Sequence, residues 1–267
     1  MHALSNGVTA LIVCARRELT ELVAIGSVFA GTTRDECKRA ADWVLQRLLE
    51  LDFEARVKHT ADGSPAVMGS VATLPGQPTV MLYAHHEVQL VDETAWTSAP
   101  SALTERGRRC YGRGTADCKG SIVAHLAALR SVRAREGSYP VGIVGMVEGS
   151  EEQTTGSVES YVTANVNEFC DVSSVVVMDA GNAAVGEPGG GGSIPFCHVL
   201  VQAVPGVEII TCGVCEPQAA AHGDYERVDP TEIRALALAE AAFLTGHVAA
   251  ESRSVVTTAP PQERSDP

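Results

Sequence analysis

The sequence predicts an α/β domain with a central, mostly parallel mixed sheet flanked by helices. Three observations carry that reading. Short apolar runs at Thr79–Tyr83, Val141–Val147 and Val175–Met178 have the length and β-branched content of buried strands. They alternate with segments whose apolar residues recur at helical spacing, and such alternation implies parallel pairing through helical crossovers. Each run also ends on polar groups: His85-His86-Glu87, Glu148 through Glu152, and Asp179.

The first element is a helix over Val8–Phe29, with Leu11, Ile12, Leu19, Leu22 and Val23 on one face. A second helix spans Arg34–Leu51, its buried stripe supplied by Trp43, Val44, Leu45, Leu48 and Leu49. Strands are expected at Phe53–Lys58, Ala66–Thr73 and Thr79–Tyr83, divided by the turns Asp62-Gly63-Ser64-Pro65 and Pro75-Gly76. Then follow a helix at Lys119–Arg135, a strand at Val141–Val147, a helix at Val158–Val166 and a strand at Val175–Met178. Four consecutive glycines, Gly189–Gly192, mark a joint, and Ile194–Val204 is an apolar stretch before a strand at Val207–Cys212. Asp229-Pro230-Thr231-Glu232 is a helix start, with Asp229 as cap and Pro230 in the first turn, for a helix reaching about Leu244. The domain is expected over 1–249, and the polar, Pro-rich 250–267 reads as a disordered tail.

Composition narrows the function. A net charge of −13 argues against nucleic acid and against anionic membranes, both of which need basic patches. No run of eighteen apolar residues is present, so no membrane span is expected, and without a signal core the cytoplasm is the expected compartment. The eight cysteines are scattered as reduced thiols would be, and Cys212-x-x-Cys215 has no second pair to complete a zinc knuckle.

The strand ends are where the chemistry gathers, because ligands of α/β proteins collect beyond the carboxyl ends of strands. His85 follows one strand, and Asp117 lies about thirty residues later in the Gly-rich turn Gly112–Asp117. Adjacent carboxylates such as Glu151 and Glu152 repel unless a proton or cation compensates. His222 sits in a loop between a strand and the capped helix, and gains interest only from this company.

The ordered set His85-x-Glu87-Val88, Trp96, Tyr111-Gly112-Arg113-Gly114-x-x-Asp117-x-Lys119-Gly120, Glu148-Gly149-x-Glu151-Glu152, Asp179-x-Gly181-Asn182, Gly191–Pro195 and His222-x-x-x-Glu226 resembles the M20 metallopeptidases. That group includes carboxypeptidase G2, dipeptidases, aminoacylases and succinyl-diaminopimelate desuccinylase, and the likeness runs from about residue 10 to 247. It implies a zinc-peptidase-like catalytic domain that hydrolyses a dipeptide or N-acyl amino acid. It further implies two Zn²⁺ ions, replaceable by Co²⁺ or Mn²⁺. By the resemblance His85 and Asp179 bind one metal, Glu152 and His222 the other, and Asp117 bridges them. Glu151 is the general base, and Glu87 stands where the family orients the metal-bound histidine.

This chain departs from the family pattern in four places. Glu87 replaces an Asp, Ala84 replaces a Gly before the histidine, and Gln153-Thr154-Thr155 lengthen the loop after the Glu pair. Only 43 positions separate Asp179 from His222, where the family inserts a lid or dimerisation domain on the order of a hundred residues. The lid is therefore expected to be missing, with its junction at about 186–193, and the chain to be a monomer with an open site. A catalytically silent, metal-binding scaffold domain and a site recruited to a biosynthetic amide step are the alternatives. Other histidines have plainer readings: His125 packed or capped in its helix, His86 turned away from His85, His198 and His247 without companions. Trp96 is expected to pack a loop over the site edge and Arg113 to be a structural donor in the Gly-rich turn.

Overall fold

The computed structural model describes residues 2–29, 34–72, 76–181 and 195–254, with side chains from 13 to 246. The expected junction at 186–193 and the tail beyond 254 lie outside the described residues. A six-stranded sheet forms the centre: β1 (Glu54–His59), β2 (Pro65–Val71), β3 (Thr79–His85), β6 (Gly142–Glu148), β7 (Val172–Met178) and β8 (Glu208–Cys212). Their order is β1-β2-β6-β3-β7-β8. The β6, β3, β7 and β8 strands run parallel, and β2 joins β6 antiparallel, as does β1 to β2. The mixed, mostly parallel sheet matches the expectation.

Helices cover both faces, so the central strands are apolar on both sides. Along β3 the side chains alternate between two cores. Val80, Leu82 and Ala84 meet α2 (Arg34–Leu49) and α3 (Lys119–Glu136), whereas Met81 and Tyr83 meet α4 (Ser157–Ala164) and α5 (Pro195–Ala203). Tyr83 stacks on Phe196 of α5 with ring centroids 4.1 Å apart. Ala84, the substitute for a glycine, is fully buried in the first core, so its methyl is packed rather than obstructive.

Several elements differ from their expected extent, each for a visible reason. The first helix, α1 (His2–Val23), stops six residues before Phe29. Residues 25–28 give up helical bonds to reach other segments: Ser27 Oγ donates to the His86 carbonyl, the Val88 amide to that of Ser27, and Lys119 Nζ to that of Ile25. What remains of α1 is tied to α3 by the bidentate pair Arg130–Glu18, with Glu18 almost fully buried. The apolar stretch after the glycines is the helix α5, whose Phe196 and Leu200 face the sheet. The last helix, α6 (Pro230–Ser254), outruns its expected end at Leu244. Its start is as expected: Asp229 Oδ1 accepts from the Thr231 amide at 3.0 Å.

A second, three-stranded antiparallel sheet was not foreseen. It pairs β4 (Thr104–Arg106), β5 (Arg109–Tyr111) and β9 (Arg227–Val228). This small sheet brings the loop holding His222 beside the turn holding Asp117.

Candidate metal centre

Three parallel neighbours, β6, β3 and β7, deliver polar groups to one edge of the sheet. His85 ends β3, a short 3-10 turn at Glu151–Gln153 follows β6, and Asp179 comes directly after β7. Asp117 enters from the turn between β5 and α3, where its peptide to Cys118 is cis, and His222 from the loop between β8 and β9.

The donor atoms fall into two groups around Asp117. His85 Nε2 lies 3.1 Å from Asp117 Oδ1 and 3.3 Å from Asp179 Oδ1. His222 Nε2 lies 2.9 Å from the other oxygen, Asp117 Oδ2, and 3.0 Å from Glu152 Oε1. Glu151 Oε2 stands 4.0 Å from His85 Nε2, on the flank of the first group. All seven residues singled out in the sequence are thus brought together, counting Glu87 behind His85.

The surrounding shell fixes the donors. His85 is fully buried, and its Nδ1 donates to the Glu87 carbonyl oxygen at 3.1 Å, with Glu87 Oε2 3.4 Å away. That places a proton on Nδ1, so Nε2, which faces the carboxylates, is the nitrogen that would bind a metal. Glu87 Oε1 accepts from the Glu152 backbone amide, and Gln89 Nε2 donates to Glu152 Oε2 at 2.8 Å. His86 turns the other way and meets the Pro65 carbonyl oxygen at 2.8 Å.

The largest unforeseen contributor is Glu226. It is fully buried, and its two oxygens accept from the amides of Gly114, Ala116 and Asp117 and from Arg113 Nη1. The Gly-rich turn is therefore wrapped around one carboxylate. Gly114 at φ +82° and Gly120, where a Cβ would meet the Thr115 carbonyl oxygen at 2.3 Å, allow that wrapping. Arg113 is the structural donor expected, bonding Glu226 and the His222 carbonyl and lying over the Trp96 ring. Glu226→Leu is expected to cost about 3–5 kcal/mol, since it strands a buried Arg and three amides. Denaturant midpoints at constant slope would measure this.

Cys118 was also overlooked. Its thiol donates to the Met178 carbonyl, and its sulfur groups with donor atoms of His85 and Asp179, all within 4.8 Å of one another. His125, by contrast, is a packed helix residue as expected, held between Glu240 and the Tyr83 carbonyl.

Electrostatics follow the geometry. Burial would raise the Asp117 carboxyl, but bonds from His222 and His85 outweigh it and hold the group below its ordinary range. The carboxylates of Asp117 and Glu152, 2.9 and 3.0 Å from its Nε2, push the His222 imidazole up to about 10. Burial opposes charge on His85, yet its neighbours Cys118, Asp179 and Glu87 drive its pKa well above the usual value. Burial lifts Glu151 to about 7, with His85 opposing and Asp179 and Glu152 reinforcing. Because the His222 value is raised on folding, its contribution to stability is full below about pH 6.5 and lost as pH rises through about 10. Calorimetry of chelator-treated protein should show Tm falling across that window, and less steeply in His222→Gln.

These residues suit divalent metal ions. Tetrahedral coordination with bonds of 2.0–2.1 Å separates neighbouring donors by about 3.3 Å, close to the distances above. Glu152 Oε1 is buried and accepts no hydrogen bond, although His222 Nε2 faces it. An acceptor in that state suits a cation better than a proton donor.

Residues 81–190 match the family model of peptidase family M20/M25/M40. Over that stretch the chain is similar to the M20 peptidases. The cysteinylglycine-S-conjugate dipeptidase of Corynebacterium striatum is 36% identical over 176 residues, covering 64% of this chain and 38% of that protein. Human carnosine dipeptidase 1 superposes with a TM-score of 0.59 at 29% identity, covering 64% of this chain and 39% of its own. The chain thus spans about two fifths of the length of these relatives. The aminopeptidase APDkam598 from the archaeon Desulfurococcus kamchatkensis shares the fold across 91% of this chain and 99% of its own, with a TM-score of 0.62 at 11% identity. Among the described residues no helix is long and apolar enough to cross a membrane.

Proposed function

We propose that this chain is the catalytic core of a dinuclear zinc amide hydrolase acting on a dipeptide or an N-acyl amino acid. One observation carries the reading: Asp117 presents each of its two oxygens to a different donor group, His85 with Asp179 and His222 with Glu152. That is the arrangement of a bridging carboxylate. The mixed imidazole and carboxylate donors suit Zn²⁺ first, and Co²⁺ or Mn²⁺ as substitutes.

Bound there, two divalent ions would polarise the scissile carbonyl and acidify water. Glu151 supplies the proton transfer: its Oε2 takes the proton of the attacking water and returns it to the leaving amine. Burial raises the Glu151 carboxyl above its ordinary range, which strengthens it as a base. Glu87 holds His85 through its carbonyl and the Glu152 amide through its carboxylate, so one residue sets the position of a ligand in each group. The half-exposed His222 leaves the reacting side open, and the chain is read as a monomer.

The test is metal stoichiometry together with hydrolysis of a cysteinylglycine S-conjugate, carnosine and an N-acetyl amino acid. Two zinc ions per chain, dropping to one in His222→Ala, with turnover of at least one substrate, is the expected outcome. Two ions without turnover would favour the silent-scaffold reading. Failure to bind zinc after reconstitution would sink the ligand assignment.

A further inference from the structure

Away from the metal centre, a cavity of about 120 Å³ opens between α1, the β4–β5 hairpin, α3 and α6. Its floor is apolar and buried, formed by Leu19, Ala127, Ile233 and Ala237. Its wall is cationic: Arg16, Arg108, Arg109 and Arg234 line it against a single carboxylate, Glu105. In a chain of net charge −13 such a concentration of arginines calls for an account. Three of them have partners, Arg16 with Glu105, Arg108 with Asp229 and Arg109 with Glu216. Arg234 is exposed and makes no ion pair among the described residues.

We propose that this cavity is a second ligand site, for an amphipathic monoanion with a carboxylate on a small apolar body. A dry apolar cavity of about 150 Å³ accepts benzene, so the apolar part has about the size of a phenyl ring. The planar guanidinium fork of Arg234, the one arginine of the wall without an ion pair among the described residues, is suited to a carboxylate. None of these residues belongs to the metal centre, so the site stands whether or not the chain is a hydrolase.

The experiment titrates 3-phenylpropanoate and, separately, 3-phenylpropan-1-ol into the full chain, followed by methyl NMR. Saturable shifts at Leu19, Ala127, Ile233 and Ala237 are expected, with the acid bound about tenfold more tightly than the alcohol. Arg234→Gln, a surface change, should remove that preference while the alcohol still binds. Ala237→Leu should weaken both by filling the floor. The proposal is overturned if neither ligand shifts these methyls, if acid and alcohol bind alike, or if Arg234→Gln leaves the acid's advantage intact.

Discussion

Glu151→Gln is expected to keep both metal ions and to lose about 10²–10⁴-fold in hydrolytic turnover. The amide is isosteric with the carboxylate but cannot accept the proton that water must give up. The 4.0 Å from Glu151 Oε2 to His85 Nε2 places the side chain beside the ligand cluster without making it a donor of either group. Metal content measured by elemental analysis on the same samples used for kinetics separates the two roles. A variant that loses zinc together with activity would make Glu151 a ligand. A variant that keeps full activity would remove it from the chemistry.

Asp117→Ala should instead remove both metal positions at once, with turnover falling to background. Its two oxygens are shared between the groups, at 3.1 Å from His85 Nε2 and 2.9 Å from His222 Nε2. Replacing any other ligand removes one donor from one group, whereas this change removes a donor from each. Isothermal titration with zinc is the measurement. Loss of one ion with the second bound normally would show that Asp117 does not bridge. The protein should stay folded, because the turn around residue 117 is held by Glu226 through backbone amides rather than through the Asp117 side chain.

What could be read from the sequence was set by local pattern. The strands β3, β6 and β7 are apolar runs dense in β-branched residues, and their ends are marked by abrupt changes to charge, so His85, Glu151, Glu152 and Asp179 stood out together. Features fixed by distant partners left no such mark. Residues 25–28 look helical, but their bonds go to His86, Val88 and Lys119. The β4, β5 and β9 strands are two or three residues long and carry charges, so no alternation betrays them. Glu226 served in the sequence only as part of a motif; nothing local announces an acceptor for three amides more than a hundred residues away. Gln89 and Cys118 were invisible for the same reason, since their partners, Glu152 and Met178, lie about sixty residues further along the chain.

The bond between Glu226 and the turn at 114–117 also has a consequence for how the molecule comes into being. During synthesis the His85 strand and the Asp117 turn leave the ribosome long before residue 226 exists. Until that carboxylate arrives, the amides it will collect have no partner, and Asp117 has no fixed orientation. The β6-β3-β7 sheet can assemble early from segments already made, while the metal centre waits for the closing contact from residue 226. A product stalled before residue 226 would thus carry the β6-β3-β7 core and yet bind metal poorly, so that metal capture itself reports the arrival of Glu226.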